Sequence, residues 1–144
     1  MAIVESVRNY ILTCPHVSLF KKINIEFLPE DPNNLSVEEV PTQNGNVLDQ
    51  FVDGSSYRQF AFVLAARFAF SDALSDSIQN SGFFENFQQW IETQNKLGVY
   101  PTLGSGMTPN AIETMTSGYV LYLDESNMTV RCQIQCRLLY TKEA

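Results

Sequence analysis

The one histidine, His16, stands two residues from Cys14, with Pro15 between them. A thiol beside an imidazole is the raw material of a cysteine nucleophile and its base. Here the pairing is weak. Pro15 and the end of the helix before it hold the two groups apart, nothing signals a third group to orient the imidazole, and motifs this short arise freely. Metal binding fares no better, because one histidine and no C-x-x-C leave no ligand set with zinc spacing. Cys132 and Cys136, four apart on a strand, share a face and read as small buried hydrophobes. Glu38 and Glu39 are adjacent, so on a strand they point to opposite faces and cannot act as an acid–base pair. Gly104-Ser105-Gly106 lacks the lysine and helix start of a phosphate loop. The residues point to no catalytic centre, no cofactor and no metal.

The bulk properties agree with a packing role. A chain of 144 residues fits one domain, 1–144, and can bury roughly 68–70% of the surface its unfolded form exposes. Sixteen Phe and Tyr residues supply the core. Three cysteines make an incomplete disulfide set and suit a reducing cytoplasm. No run approaches the ~18 apolar residues of a membrane span, and Met1 to Arg8 does not read as a signal peptide. Net charge is −7, and Glu26, Glu30, Asp31, Glu38, Glu39, Asp49 and Asp53 place all of it between 26 and 53, where there is no Lys or Arg. Nucleic-acid binding through phosphate neutralisation needs a basic surface, and the sequence signals none. The acidic stretch is a solvated face, or a surface that repels DNA or meets a basic partner.

The elements follow from periodicity. Ile3, Val7, Tyr10 and Cys14 draw a helical stripe that Pro15 ends. Ile23, Ile25 and Phe27 alternate with polar residues as a short half-buried strand. After a loop at Pro29 to Asn34, Leu35 to Val40 reads as a weak strand whose acids and flanking prolines suit a sheet edge. A turn at Gln43 to Asn46 and another at Asp53-Gly54 follow. Tyr57 to Phe70 alternates cleanly as a long strand, with Phe60, Phe62, Leu64, Phe68 and Phe70 on one face. Gln59, Ala61, Val63, Ala65, Arg67 and Ala69 lie on the other, which is small enough to lie flat against another surface.

Ser71-Asp72 can cap a helix starting near Ala73, and Asn80-Ser81-Gly82 is expected to interrupt it. Phe83, Phe84, Phe87, Trp90 and Ile91 then form a strong helical stripe that ends near Lys96 and Gly98. Gly98 to Pro109 is a long uncharged loop, of the length that often serves function. Glu113 to Leu123 and Met128 to Tyr140 complete an antiparallel hairpin about Asp124 to Asn127. Val130 to Tyr140 puts apolar residues on one face and Arg131, Gln133, Gln135 and Arg137 on the other. The fold class is α+β, a single mostly antiparallel sheet with helices packed on one face.

Several strings occur in an order that resembles a family of small proteins of tailed bacteriophages and prophages, the minor capsid proteins. They are Asp53-Gly54-Ser55-Ser56-Tyr57-Arg58-Gln59-Phe60-Ala61-Phe62, then Asn80-Ser81-Gly82-Phe83-Phe84-Glu85 leading to Trp90. Ile112-Glu113, Thr116-Ser117-Gly118-Tyr119 and Gln133-Ile134-Gln135-Cys136-Arg137-Leu138-Leu139-Tyr140 follow. The likeness covers 53–140, and before it only a helix ending at Cys14-Pro15 matches. Ala65-Ala66-Arg67 departs from the more polar strand end expected of relatives.

Such proteins are similar to tail terminators, which form a ring, typically a hexamer, where a long non-contractile tail meets the head connector. The resemblance implies a tail-terminator-like fold, no catalytic residues and no cofactor. The implied partners are further copies of the chain, the major tail tube protein and a head connector or stopper, with DNA passing through unbound. The implied place is the virion, after synthesis in the host cytoplasm. Subunit contacts are expected at Arg58, Gln59, Arg67, Leu103, Met107, Arg131, Gln133, Gln135 and Arg137, the arginines pairing with a neighbour's acids. Glu30, Asp31, Glu38 and Glu39 are expected to face the DNA channel. Another connector or an adaptor binding through the 98–109 loop is the alternative, and a small transferase using Cys14 is a third.

Overall fold

The computed structural model describes residues 2–69 and 74–144. Its centre is a pair of long antiparallel strands, β4 (Ser56–Ala69) and β7 (Thr129–Lys142), matched along their whole length with Ser56 opposite Lys142 and Ala69 opposite Thr129. Both sequences alternate apolar residues at even positions, and in this register the two even faces coincide. Phe60, Phe62, Leu64, Phe68, Val130, Cys132, Ile134, Cys136, Leu138 and Tyr140 are all buried there. A strand with large apolar groups on one face can form a stable sheet only if something covers that face. Two helices do so, α1 (Ile3–Ile11) and α2 (Leu74–Leu97), through Val7, Tyr10, Ile11, Phe83, Phe84, Phe87 and Ile91. The fold is α+β, one mostly antiparallel seven-stranded sheet with its helices on one face.

Beside β4 lie β2 (Asn34–Glu39) and β3 (Val47–Gln50), one after the other along its length, and β1 (Ile23–Ile25) runs parallel to β2. Beside β7 lie β5 (Met107–Thr114) and β6 (Tyr119–Asp124), also end to end. This arrangement corrects several expectations. The Leu35 to Val40 segment is not a sheet edge, since β2 sits between β1 and β4. β3 has no clean alternation and was not anticipated. The expected single strand from Glu113 to Leu123 is two strands, and the uncharged loop ends at Gly106, where β5 begins.

Between β5 and β6 the chain leaves the ladder at Met115 to Gly118. There Thr116 Oγ1 accepts the Gln135 N–H at 3.1 Å, filling the place of a strand partner. Gly118 lies directly against the Phe84 ring of α2, and a Cβ there would fall 2.4 Å from it. The break is therefore set by how closely helix and strand approach.

The helices also end differently from expectation. α1 stops at Ile11 rather than reaching Cys14. Pro15 has no N–H to offer the Ile11 carbonyl, so the Cys14 N–H takes it at 2.9 Å and the turn tightens. A 3-10 turn follows at Pro15–Leu19. Of the short strand's apolar residues only Ile23 is buried: Ile25 is exposed at the end of β1, and Glu26, at a positive φ of 56°, ends the alternation and leaves Phe27 64% exposed.

α2 is continuous through Asn80-Ser81-Gly82, which do not interrupt it. Packing of the aromatic stripe outweighs the ~1 kcal/mol that a mid-helix glycine costs. Its far end behaves as expected: Gly98 is left-handed (φ 70°), Val99 N–H reaches Gln94 O, and Gly98 N–H reaches Asn95 O. The Ser71-Asp72 cap, the helix start near Ala73 and Phe70 lie outside the described residues.

Candidate assembly surface

The second face of the sheet carries the odd-numbered residues of β4 and β7. On β4 these are small at Ala61, Val63 and Ala65, so long side chains from β7 can lie across them. They do. Arg131 Nη2 reaches over β4 to Glu38 Oε1 on β2 at 2.9 Å, and also donates to Gln133 Oε1 at 3.2 Å. Gln133 Nε2 and Gln135 Nε2 both donate to the Tyr119 hydroxyl of β6, at 2.7 and 3.0 Å. Arg137 pairs with Glu113 on β5 and donates to Gln59 Oε1 at 3.3 Å. The aliphatic stems cover the small residues while the polar heads bond one another, and Val63 and Ala65 are buried as a result.

Arg67 completes the plate at its other end. It stands opposite Arg131 in the ladder, an arrangement of like charges that is unfavourable unless the heads diverge. They diverge. Arg67 Nε donates to the Pro29 carbonyl at 2.9 Å and Nη2 to the Tyr122 hydroxyl at 3.3 Å, with the guanidinium 5.7 Å from the Tyr122 ring centre. The segment after β1 crosses the second face here, with Phe27 N–H bonded to Ser36 Oγ and Leu28 buried. Arg67 is only 4% exposed.

The residues expected to make subunit contacts thus separate into groups. Gln59, Arg67, Arg131, Gln133, Gln135 and Arg137 share the second face. Arg58 lies on the opposite, helix-covered face, opposite Tyr140 in the ladder, and bonds Ser56 Oγ at 2.9 Å. Leu103 and Met107 are partly buried against the core, so the loop leans inward. Arg131 and Arg137, expected to seek a neighbour's acids, each already hold an acid of their own chain, and Arg67 is buried. Among the acids, Glu30, Asp31 and Glu39 are exposed, whereas Glu38 is neutralised by Arg131.

Sequence reasoning missed Tyr119, Tyr122 and Glu113 as the plate's far side. The odd-position alternation of Arg and Gln on β7 signalled that a polar face existed, but not which strand would meet it. It also missed an apolar row. Val120, Leu121, Tyr122 and Leu123 on β6 are all exposed, as is Met128 beyond the turn.

The residues weighed for chemistry are placed as follows. Cys14, Cys132 and Cys136 are buried free thiols. Burial pushes the Cys14 thiol up, away from the thiolate that a nucleophile requires. Burial likewise lifts Cys132 to about 11 and Cys136 further in the same direction. Among the described residues no group of three or more His, Cys, Asp or Glu is placed to hold a metal ion, and no helix is long and apolar enough to cross a membrane. No protein-family model matches the chain, and no curated protein matches it.

Proposed function

We propose that the chain is a structural subunit of a long-tailed bacteriophage particle, a ring-forming tail terminator or head–tail joining protein. In this reading it caps the tail tube and docks it to the head connector. The observation that carries the proposal is the plated second face. A sheet whose second face is closed by Arg–Glu, Arg–Gln and Gln–Tyr bonds presents an internally neutralised surface. Such a surface suits contact with another protein over a broad area. The ordered strings over 53–140 support the same reading, and they fall on the elements that build this face and the core beneath it: β4, α2 and β7. In this reading the partners are further copies of the chain, the tail tube protein and a head connector. The exposed acids Glu30, Asp31 and Glu39 keep a DNA path free of sticking contacts.

The test is whether the chain belongs to the particle. Mass spectrometry of purified virions is expected to find it, and deletion of its gene is expected to leave filled heads and tails unjoined. A chain absent from the virion overturns the proposal.

A further inference from the structure

The sheet has two unlike edges, and their chemistry is complementary. One is β6, with exposed Val120, Leu121, Tyr122 and Leu123 running into Asp124 and exposed Glu125. The other is β1, entered through exposed Lys21 and Lys22, ending at exposed Ile25 and followed by exposed Phe27. An apolar edge strand of this kind is a template for pairing unless it is covered. The neighbouring edge of β5 is covered: Asn95 of α2 bonds both the N–H and the carbonyl of Ile112, as a strand partner would. β6 runs beyond that clamp.

We infer that β6 of one copy docks antiparallel against β1 of the next copy, so that the subunits join head to tail through their sheets. This interface rests on the ring reading given above and names the surface that closes it. The strand senses permit it. β1 is parallel to β2, and the antiparallel steps through β4 and β7 leave β6 opposite in sense to β1. Rotation about an axis along the strands preserves those senses, so the facing edges of successive copies are antiparallel. The contact is heterologous, the type that generates rings.

The register is fixed by side-chain faces. Setting Ile23 against Leu123 joins two residues of the helix-covered face, since their ladder partners Leu35 and Val130 are both core. Asn24 then meets Tyr122, and Lys22 meets Asp124, all on the second face, while Lys21 and Glu125 stand just beyond the two strand ends on the same side of the contact. The shift that matches apolar residues therefore also matches opposite charges. Bonds from the Asn127 side chain and backbone hold Asp124 below the usual carboxylate range, so it is charged at neutral pH. Arg8 Nε already takes the Ile23 carbonyl at 2.7 Å, so packing and charge carry the contact more than a full backbone ladder.

The experiment is a charge swap read by native mass and sedimentation of the full chain. Lys21→Glu with Lys22→Glu sets acid against acid, and Asp124→Lys with Glu125→Lys sets base against base. Each pair is expected to lose the oligomer at concentrations where the wild type assembles. The chain carrying all four changes is expected to regain it. Circular dichroism checks the fold, and because Asp124 also braces its turn, a second measurement avoids it. Lys21→Cys with Glu125→Cys is expected to give an oxidation ladder of linked copies, since the native thiols are buried. A wild type that assembles while the double variants assemble equally well and no ladder forms overturns this interface and leaves the ring reading intact. A wild type that stays monomeric at every concentration, with no ladder, also overturns this interface, while the ring reading is decided separately by whether the chain is found in the virion.

Discussion

At the scale of single residues the plate makes a ranking that can be measured. The Arg131–Glu38 pair is 15% and 21% exposed on its two sides, the Arg137–Glu113 pair 30% and 41%. Removing one partner of a pair screened from water strands the other charge, whereas an exposed pair contributes roughly 0–1 kcal/mol. Glu38→Gln is expected to cost about 1–3 kcal/mol in urea unfolding and Glu113→Gln less than about 1. Equal costs would contradict the account of Arg131 as the plate's anchor. The buried thiols give a second expectation. Burial raises Cys132 from 9.0 to about 11, so the fold keeps this proton after the unfolded chain has released it. Its contribution is complete below pH 9.0 and is lost as the pH climbs toward about 11. The urea midpoint is expected to hold level near neutrality and to fall through that window, with Cys132→Val removing part of the fall. A midpoint that stays level to the end of the window would contradict it. The even-position alternation already marked Cys132 and Cys136 as core residues. Cys14 was placed by helical spacing and is buried although the helix stops short of it, because the tightened turn keeps the same side inward.

Among the elements, the expectations that survived are those with a dense local signal. Phe60 to Leu64 alternates large with smaller residues and Val130 to Leu138 alternates apolar with polar ones, and β4 and β7 became the sheet's centre. α2 shows the reverse case, in which three poor helix formers promised a break and the helix instead runs through them into the packed stripe of Phe83, Phe84, Phe87 and Ile91. β2 was misplaced because its acids and prolines describe its ends, while its position depends on β1, a partner of three residues. The division between β5 and β6 was illegible for a related reason. It arises where Gly118 meets Phe84, a contact between segments far apart in sequence. Gly118→Ala is expected to destabilise the fold by about 1–3 kcal/mol through overpacking. Gly82→Ala, with open space around it, is expected to be neutral or stabilising. Thermal melts of the two variants check this, and a harmless Gly118→Ala would mean that the strand break has another cause.

The whole molecule is a sheet with one face buried under helices and the other closed by its own polar side chains. The sheet class followed from periodicity. Neither the tyrosine side of the plate nor the apolar row of β6 was legible, because each depends on which strand lies beside β7. In the proposed reading these are the surfaces open to assembly: a neutralised polar face, and two edges of opposite charge. The acids of 26–53 are divided among these, with Glu38 spent on Arg131 and Glu30, Asp31 and Glu39 left in solvent. The most direct test of the central claim is the copy number and place of the chain in purified virions, by quantitative mass spectrometry with gold labelling of a tagged chain. A small fixed copy number is expected, that of one closed ring, with label only at the head–tail junction. Hundreds of copies spread along the tail or over the head, or no copies at all, would contradict it.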